Sequence, residues 1–505
     1  MVDEHINNRG SLAGSYAAVL VAALVLYIVS CAPDFLWQDS GMIQYRVWHN
    51  DIEGKLGLAL SHPLFYVLAI GAKYISLGEF AYRVNLVSAS AAAVAVANLY
   101  LFLRLWLGRT LPAIIGAVTF AFSHTFWRHG SIAETYPLYV AFFLAGLIML
   151  LQYVRTERVV YLYGLAGFNG LAMSVHMFAS IPFLCYLVFV LFLLVRKRIR
   201  LKHFGIAAVF WFIGAGLYVY LVARAMVQSG DVFATLASAA FGGRYKGDVL
   251  NYSLGFRIIK ENILYIILNF PTPNFVLFFV GCYGISKLSP NRSFRNVLLA
   301  LTILFFFFAF RYTVVDRYAF FIPFYCLASI LVGVGSHFLS IRIRGKGLMY
   351  FVLILAFLPA GVYAAAPSLA KAMELNIGTK RAIPYRDEYK YFLQPWRTGY
   401  HGASQFASEA LESVEQSAAI YADSTTVFPL LCVQQIKGKR IDVQIFPHSY
   451  IGQSPMLLNE SHAAKLVAGP GLYVVSPLKY YCPDFLLDGY DFVESGVLWK
   501  VVERR

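Results

Sequence analysis

The chain has 505 residues, 59% of them hydrophobic and 14% charged, whereas an ordinary soluble domain carries about 25% charged residues. A soluble globule of this size is excluded. The formal charge of +15 does not point to nucleic acid, because Lys and Arg are neither gathered on one domain nor interleaved with exposed aromatics.

Apolar runs of about 17 to 25 residues, each long enough to cross a hydrocarbon core of roughly 30 Å, recur over residues 12–366 and then stop. The first of them ends in Ile28-Val29-Ser30-Cys31, which loosely resembles a lipoprotein cleavage site. Thin preceding charge and the many runs that follow favour a retained helix. Cys31, Cys185, Cys282 and Cys326 lie in or beside apolar runs without a C-x-x-C pair and read as packing residues. Basic loops at 104–109, 155–158, 196–202, 287–295 and 342–346 carry the positive-inside signature of the cytoplasmic face. Each pair of such loops is separated by an even number of crossings.

Three apolar runs precede Arg104 where a cytoplasmic N-terminus allows two. Residues 63–77 are the weakest, being short, opening with His62-Pro63 and carrying Lys73. They are expected as an interfacial helix on the outer surface. The expected architecture is an α-helical polytopic membrane protein with about eleven spans over residues 1–366, followed at 367–505 by a soluble α/β domain outside the membrane. In that domain a helix is expected at 403–414, strands at 418–422, 441–446, 471–475 and 497–502, and a helix at 425–435 stopped by Gly438. Asp423-Ser424-Thr425 reads as the cap of that helix.

The segments left outside are 33–79, 124–135, 226–261, 311–317 and everything after 366. A carboxylate beside a membrane core costs about 2.5 to 3.5 kcal/mol at the centre, so such groups are functional candidates unless they lie at the interface. Asp39, in Trp37-Gln38-Asp39-Ser40-Gly41, either caps the following helix or serves chemistry, and Gly41 offers a tight turn. In residues 122–137, Arg128 offers paired donors suited to phosphate, and Glu134 suits a sugar hydroxyl or a metal; a plain Arg128–Glu134 salt bridge is the alternative. Arg311 and Arg317, with Asp316 between them, face outward between apolar helices, and the two arginines call for an anionic partner, either lipid headgroups or a lipid-linked phosphate. Arg244, Tyr245 and Lys246 repeat that signal more weakly. His176 reads as a packing residue more readily than as a ligand. No zinc, P-loop or dinucleotide motif is present, so an activated substrate is expected to arrive through the lipid.

Asp39-Ser40-Gly41, Ser61-His62-Pro63-Leu64, residues 81–89, and Phe126-Trp127 through Ala133-Glu134-Thr135-Tyr136 carry a family likeness. Over roughly residues 12–225 the chain resembles the GT-C superfamily of membrane glycosyltransferases, and within it the protein O-mannosyltransferase-like family. Residues 316–318 and 384–387 are less specific parts of the same likeness. The family's usual acidic residue after Asp-Ser-Gly is Met42 here, and Leu64-Phe65-Tyr66 replaces its Pro-Pro-Gly-Tyr run. The resemblance implies that Asp39 is the active-site carboxylate. It further implies transfer from a polyprenyl-phosphate-linked sugar to a hydroxyl of a protein, glycan or lipid, with inversion and with the metal requirement open. His62, Arg128, Glu134, Tyr136, His176, Arg244, Lys246, Asp316 and Arg317 are the expected substrate-binding residues. A bacterial inner membrane with the C-terminal domain in the periplasm is expected, an endoplasmic reticulum membrane being the alternative. A transporter or flippase of lipid-linked sugars is the rival reading, and it would want broken helices with charges at the midplane. A relative without catalysis, serving as an assembly partner, is the third.

Overall fold

The computed structural model describes residues 2–242, 246–249, 251, 253–314, 316–343, 346–378, 381–448 and 457–504. Helices follow one another through the first three quarters: α1 (Val2–Ser30), α2 (Gln38–Trp48), α3 (Pro63–Ala72), α4 (Phe80–Leu107), α5 (Thr110–Ala121), α6 (His124–Gly130), α7 (Tyr136–Thr156), α8 (Val160–Val175) and α9 (Ser180–Val195). Then come α10 (Leu201–Ser229), α11 (Val232–Phe241), α12 (Lys246–Val249), α13 (Phe256–Asn269), α14 (Val276–Leu288), α15 (Arg292–Arg311), α16 (Ile322–Arg342) and α17 (Lys346–Ala372).

Among the described residues, eight helical segments are long and apolar enough to cross a membrane, and ten spans result if each of two bent pairs counts as one. The protein is an integral, multi-pass membrane protein. The expected eleven requires that α8, with 16 residues, also crosses. The bent pairs are α5–α6, at 71°, and α13 with residues 273–288, at 108°. The apolar stretch at 262–285, one of the runs in the series over residues 12–366, is therefore two helices. Pro271 and Pro273 explain the break, since proline removes a backbone donor and crowds the preceding turn. Helix α3 has ten residues, about 15 Å at 1.5 Å per residue, too little to cross and consistent with the non-crossing helix expected there.

Helix α16, buried from Ile322 to His337, is the axis of the bundle. Helices α8 and α10 meet through small residues, as close packing in lipid requires: a Cβ on Gly170 would lie 2.3 Å from the Trp211 carbonyl oxygen, and one on Gly214 2.4 Å from that of Gly167.

The change to polar composition at 367 falls inside α17, which carries Pro359 and Pro367 and runs on to Ala372. Beyond it lie α18 (Glu388–Leu393), α19 (Gly402–Glu412), β1 (Ala419–Ala422), α20 (Val427–Ile436), β2 (Gln444–Pro447), α21 (Glu460–Ala468), β3 (Leu472–Val474), α22 (Asp484–Gly489), β4 (Tyr490–Ser495) and β5 (Leu498–Glu503). The five-stranded sheet has the order β2-β1-β3-β5-β4. Strand β1 pairs in parallel with β2 and β3, while β5 is antiparallel to β3 and β4. The strand expected from 441 starts only at Gln444, and α21 and β4 were not expected. All six cysteines, Cys432 and Cys482 included, are unpaired. The domain docks on α2: the Trp37 and Phe406 rings lie 5.4 Å apart, and those of Tyr45 and Phe428 6.0 Å.

Candidate active site

Asp39 lies in the first turn of α2, whose entry is fixed by buried Trp37. The left-handed residue there is Gln38, at φ 55°, and not Gly41, which is helical and serves close contact. A Cβ on Gly41 would meet the Leu36 carbonyl oxygen at 2.3 Å and the Phe428 Cβ at 3.1 Å. The Gln38 N–H donates to the Thr425 carbonyl at 3.3 Å, so Asp39 sits at the seam with the C-terminal domain. Asp423 secures the other side of that seam. Its Oδ1 accepts from the Thr425 and Thr426 N–H groups, at 2.9 and 3.0 Å, and from the Thr426 hydroxyl at 2.9 Å, and its Oδ2 pairs with Arg381. Asp423 thereby holds the turn that leads into α20, whose N-cap residue is Thr426 and carries no side-chain cap.

Glu134 reaches the same place from the α6–α7 connection, where its N–H donates to the Ser88 hydroxyl and its carbonyl accepts from it, both at 2.8 Å. Asp316 arrives from the turn before α16. These three carboxylates stand on the wall common to two cavities of about 380 and 330 Å³, together with Met42, Leu56 and Tyr136. The first cavity adds His62, Tyr66, His176 and an apolar lining that includes Phe178, Phe308 and Tyr312. The second adds Arg128, His129, Tyr318, Tyr391, Ser424 and His448. Burial, reinforced by the neighbouring charges of Asp39 and Asp316, holds the Glu134 carboxyl well above the usual glutamate range. Burial also raises Asp316.

Arg128 is the one cation among the described residues lining either cavity. It lies on α6, buried throughout, and donates through Nη1 to the Tyr391 carbonyl at 3.1 Å. Its guanidinium is 4.7 Å from the Tyr391 ring centroid and 5.6 Å from that of Phe392. Among the described residues no ion pair joins it to Glu134, so that alternative falls away. A guanidinium held by backbone and aromatic faces keeps its charge for an anion.

Arg317 is not brought to either cavity. It is buried against α13, paired with Glu261, donating to Asn262 Oδ1 at 3.2 Å and lying over the Tyr265 ring. Arg311 donates to the Asn251 carbonyl at 3.0 Å. Arg244 and Tyr245 lie outside the described residues, as does the Lys246 side chain. No three His, Cys, Asp or Glu side chains among the described residues stand close enough together to hold a metal ion. Tyr391, Ser424 and His448 are cavity residues that sequence reading missed. The basic, tyrosine-rich stretch around Tyr391 was visible, but which turns of the C-terminal domain face the membrane was not.

Residues 58–203 match the family described as the protein O-mannosyl-transferase TMEM260 N-terminal domain. The fold is similar to that of ArnT from Cupriavidus metallidurans bound to undecaprenyl phosphate, with a TM-score of 0.63 at 13% identity over 97% of this chain and 98% of that one. It is also similar to the Archaeoglobus fulgidus oligosaccharyltransferase in its apo form, with a TM-score of 0.53 at 15% identity over 91% and 69%. The same oligosaccharyltransferase tethered to an acceptor peptide gives 0.53 at 13% identity over 97% and 74%. No curated protein matches the chain. The fold is thus one shared with these two solved proteins, and residues 58–203 within it match the O-mannosyl-transferase family model.

Proposed function

We propose that this protein is a glycosyltransferase that moves a sugar from a polyprenyl-phosphate carrier to a hydroxyl of a protein or glycan at the outer face of the membrane. One observation carries the reading: Asp39, Glu134 and Asp316 share a wall between an apolar cavity suited to an isoprenoid and a second cavity that holds Arg128. The fold neighbour bound to undecaprenyl phosphate agrees with a lipid-phosphate donor.

The acceptor oxygen attacks the anomeric carbon as the bond from that carbon to the phosphate oxygen breaks, through an oxocarbenium-like state. The hydroxyl proton passes to Asp39. The phosphate leaves with the bonding electron pair, and Arg128 meets its growing charge. Glu134, favoured in its protonated form, donates a hydrogen bond to a sugar hydroxyl. One base and one displacement invert the anomeric centre. Arg317, paired with Glu261, supports α13 in this reading and is given no part at the phosphate.

The flippase reading gains the two broken helices. Their breaks, however, are tied to each other by neutral groups, Asn269 accepting from the Thr125 N–H at 2.8 Å and donating to its hydroxyl at 3.0 Å, while the carboxylates sit in the connections. Proteoliposomes given a labelled undecaprenyl-phosphate monosaccharide and an acceptor pool separate the two. Transfer that Asp39→Asn abolishes supports the enzyme; lipid movement without transfer supports the flippase.

A further inference from the structure

His62 and His176 stack in the first cavity with ring centroids 4.9 Å apart and planes at 25°. Each is anchored to the backbone through Nδ1, and the two anchors are opposite in kind. His62 Nδ1 lies 2.7 Å from the Val175 carbonyl oxygen; a carbonyl cannot donate, so this nitrogen carries the proton. His176 Nδ1 accepts from the Phe178 N–H at 3.1 Å; an amide N–H cannot accept, so this nitrogen keeps its lone pair.

Burial holds His62 down at about 4 and His176 well below the ordinary imidazole range, so both rings are neutral. The tautomers are then fixed and opposite. His62 presents a lone pair at Nε2 and His176 presents an N–H at Nε2. No protein group among the described residues hydrogen-bonds either Nε2, although His176 is only 7% exposed. Behind them, the Tyr66 hydroxyl accepts from Arg46 Nη1 at 2.8 Å, which leaves its own proton free to donate into the same cavity.

A lone pair beside an N–H suits one common group. A hydroxyl donates and accepts at once, whereas a phosphate or carboxylate oxygen would face the His62 lone pair and an apolar group would leave both nitrogens unpaired. We propose that His62 and His176 form a paired subsite that reads one hydroxyl of the transferred sugar, a proposal that rests on the glycosyltransferase reading.

Asparagine tests this cleanly at both positions. Its amide reproduces the Nδ1 anchor, donating to Val175 or accepting from Phe178, and lacks the Nε2 edge; it also tolerates the left-handed backbone of His62, at φ 54°. Binding of undecaprenyl-phosphate monosaccharides, and of undecaprenyl phosphate alone, is measured for the parent, His62→Asn, His176→Asn and the double variant. The expected result is a loss of roughly 3- to 10-fold in affinity for the sugar-bearing lipid in each single variant, the scale of one neutral hydrogen bond. Affinity for undecaprenyl phosphate, which carries no hydroxyl for the pair, falls less than that for the sugar-bearing lipid, its retention reports folding, and the double variant loses little more than either single one, as residues sharing one ligand atom do. An unchanged donor affinity with a raised KM for the acceptor overturns the assignment to the donor sugar. No change in either overturns the subsite. A parent that binds no lipid-linked sugar overturns the glycosyltransferase reading itself.

Discussion

Asp39 and Glu134 share one cavity wall, which demands an even number of membrane crossings between them. Helix α4 and the bent α5–α6 pair, counted as one span, give two, and the ten-residue α3 adds none. The basic connection at 155–158 then lies across the membrane from the site. In a background without native cysteines, Gln416→Cys, exposed on the C-terminal domain, is expected to react with an impermeant thiol reagent on intact cells, and Arg158→Cys, exposed beyond α7, is expected not to. The reverse pattern would turn the whole assembly over and place the site on the cytoplasmic face.

Glu134 gives the site a pH signature. A carboxyl raised in the folded state contributes stability that is complete below its unfolded value, about 4.3, and is lost as pH rises through the raised folded value. The direction found for Glu134 therefore weakens the parent on the alkaline side. Glu134→Gln, which keeps the shape of the protonated acid, is expected to show a flatter decline in thermal stability in detergent as pH rises above about 4.3. Parallel curves for the two proteins would show that Glu134 is ionised throughout.

Arg128 is framed by Tyr391, Phe392 and the Tyr391 carbonyl, a setting that fits a flat, forked cation. Lysine keeps the charge and loses both the fork and the stacking. Arg128→Lys is expected to weaken undecaprenyl phosphate binding by roughly 10-fold or more, the scale of a charge-assisted hydrogen bond. An unchanged affinity would make this buried arginine structural.

Arg317 and Glu261 make the opposite case. Their pairing fastens the turn before α16 to α13 and touches neither cavity. Arg317→Ala and Glu261→Ala are each expected to lower stability by about 1 to 3 kcal/mol, and less than additively together, with donor affinity preserved. A selective loss of donor affinity in Arg317→Ala would return this residue to the phosphate site.

The fold was largely legible because membrane spans announce themselves by length and hydropathy, and basic loops fix their parity. Asp39, Glu134 and Asp316 were legible for a related reason, since a carboxylate at a membrane edge needs a cause. The direction of a side chain was not. Arg317 and Arg128 look alike in sequence, both being outward arginines beside an aromatic residue, Tyr318 and Trp127, and only packing sends one to Glu261 and the other to a cavity. The break between α13 and α14 was hidden because Pro271 and Pro273 sit within an otherwise apolar run. His448 and Ser424 escaped because nothing local in the sequence tells which strand ends of the small sheet turn toward the bundle.

Whether Asp39 takes the acceptor's proton, as proposed, is decided by sugar transfer by Asp39→Asn in proteoliposomes beside binding of the lipid donor by the same preparation. General-base catalysis contributes about 100-fold or more, and the amide keeps the shape of the carboxylate while removing its basicity. Transfer is expected to fall below about a hundredth of the parent rate with donor affinity essentially retained. Transfer above about a tenth of the parent rate, with binding intact, would contradict it and remove Asp39 from the role of base.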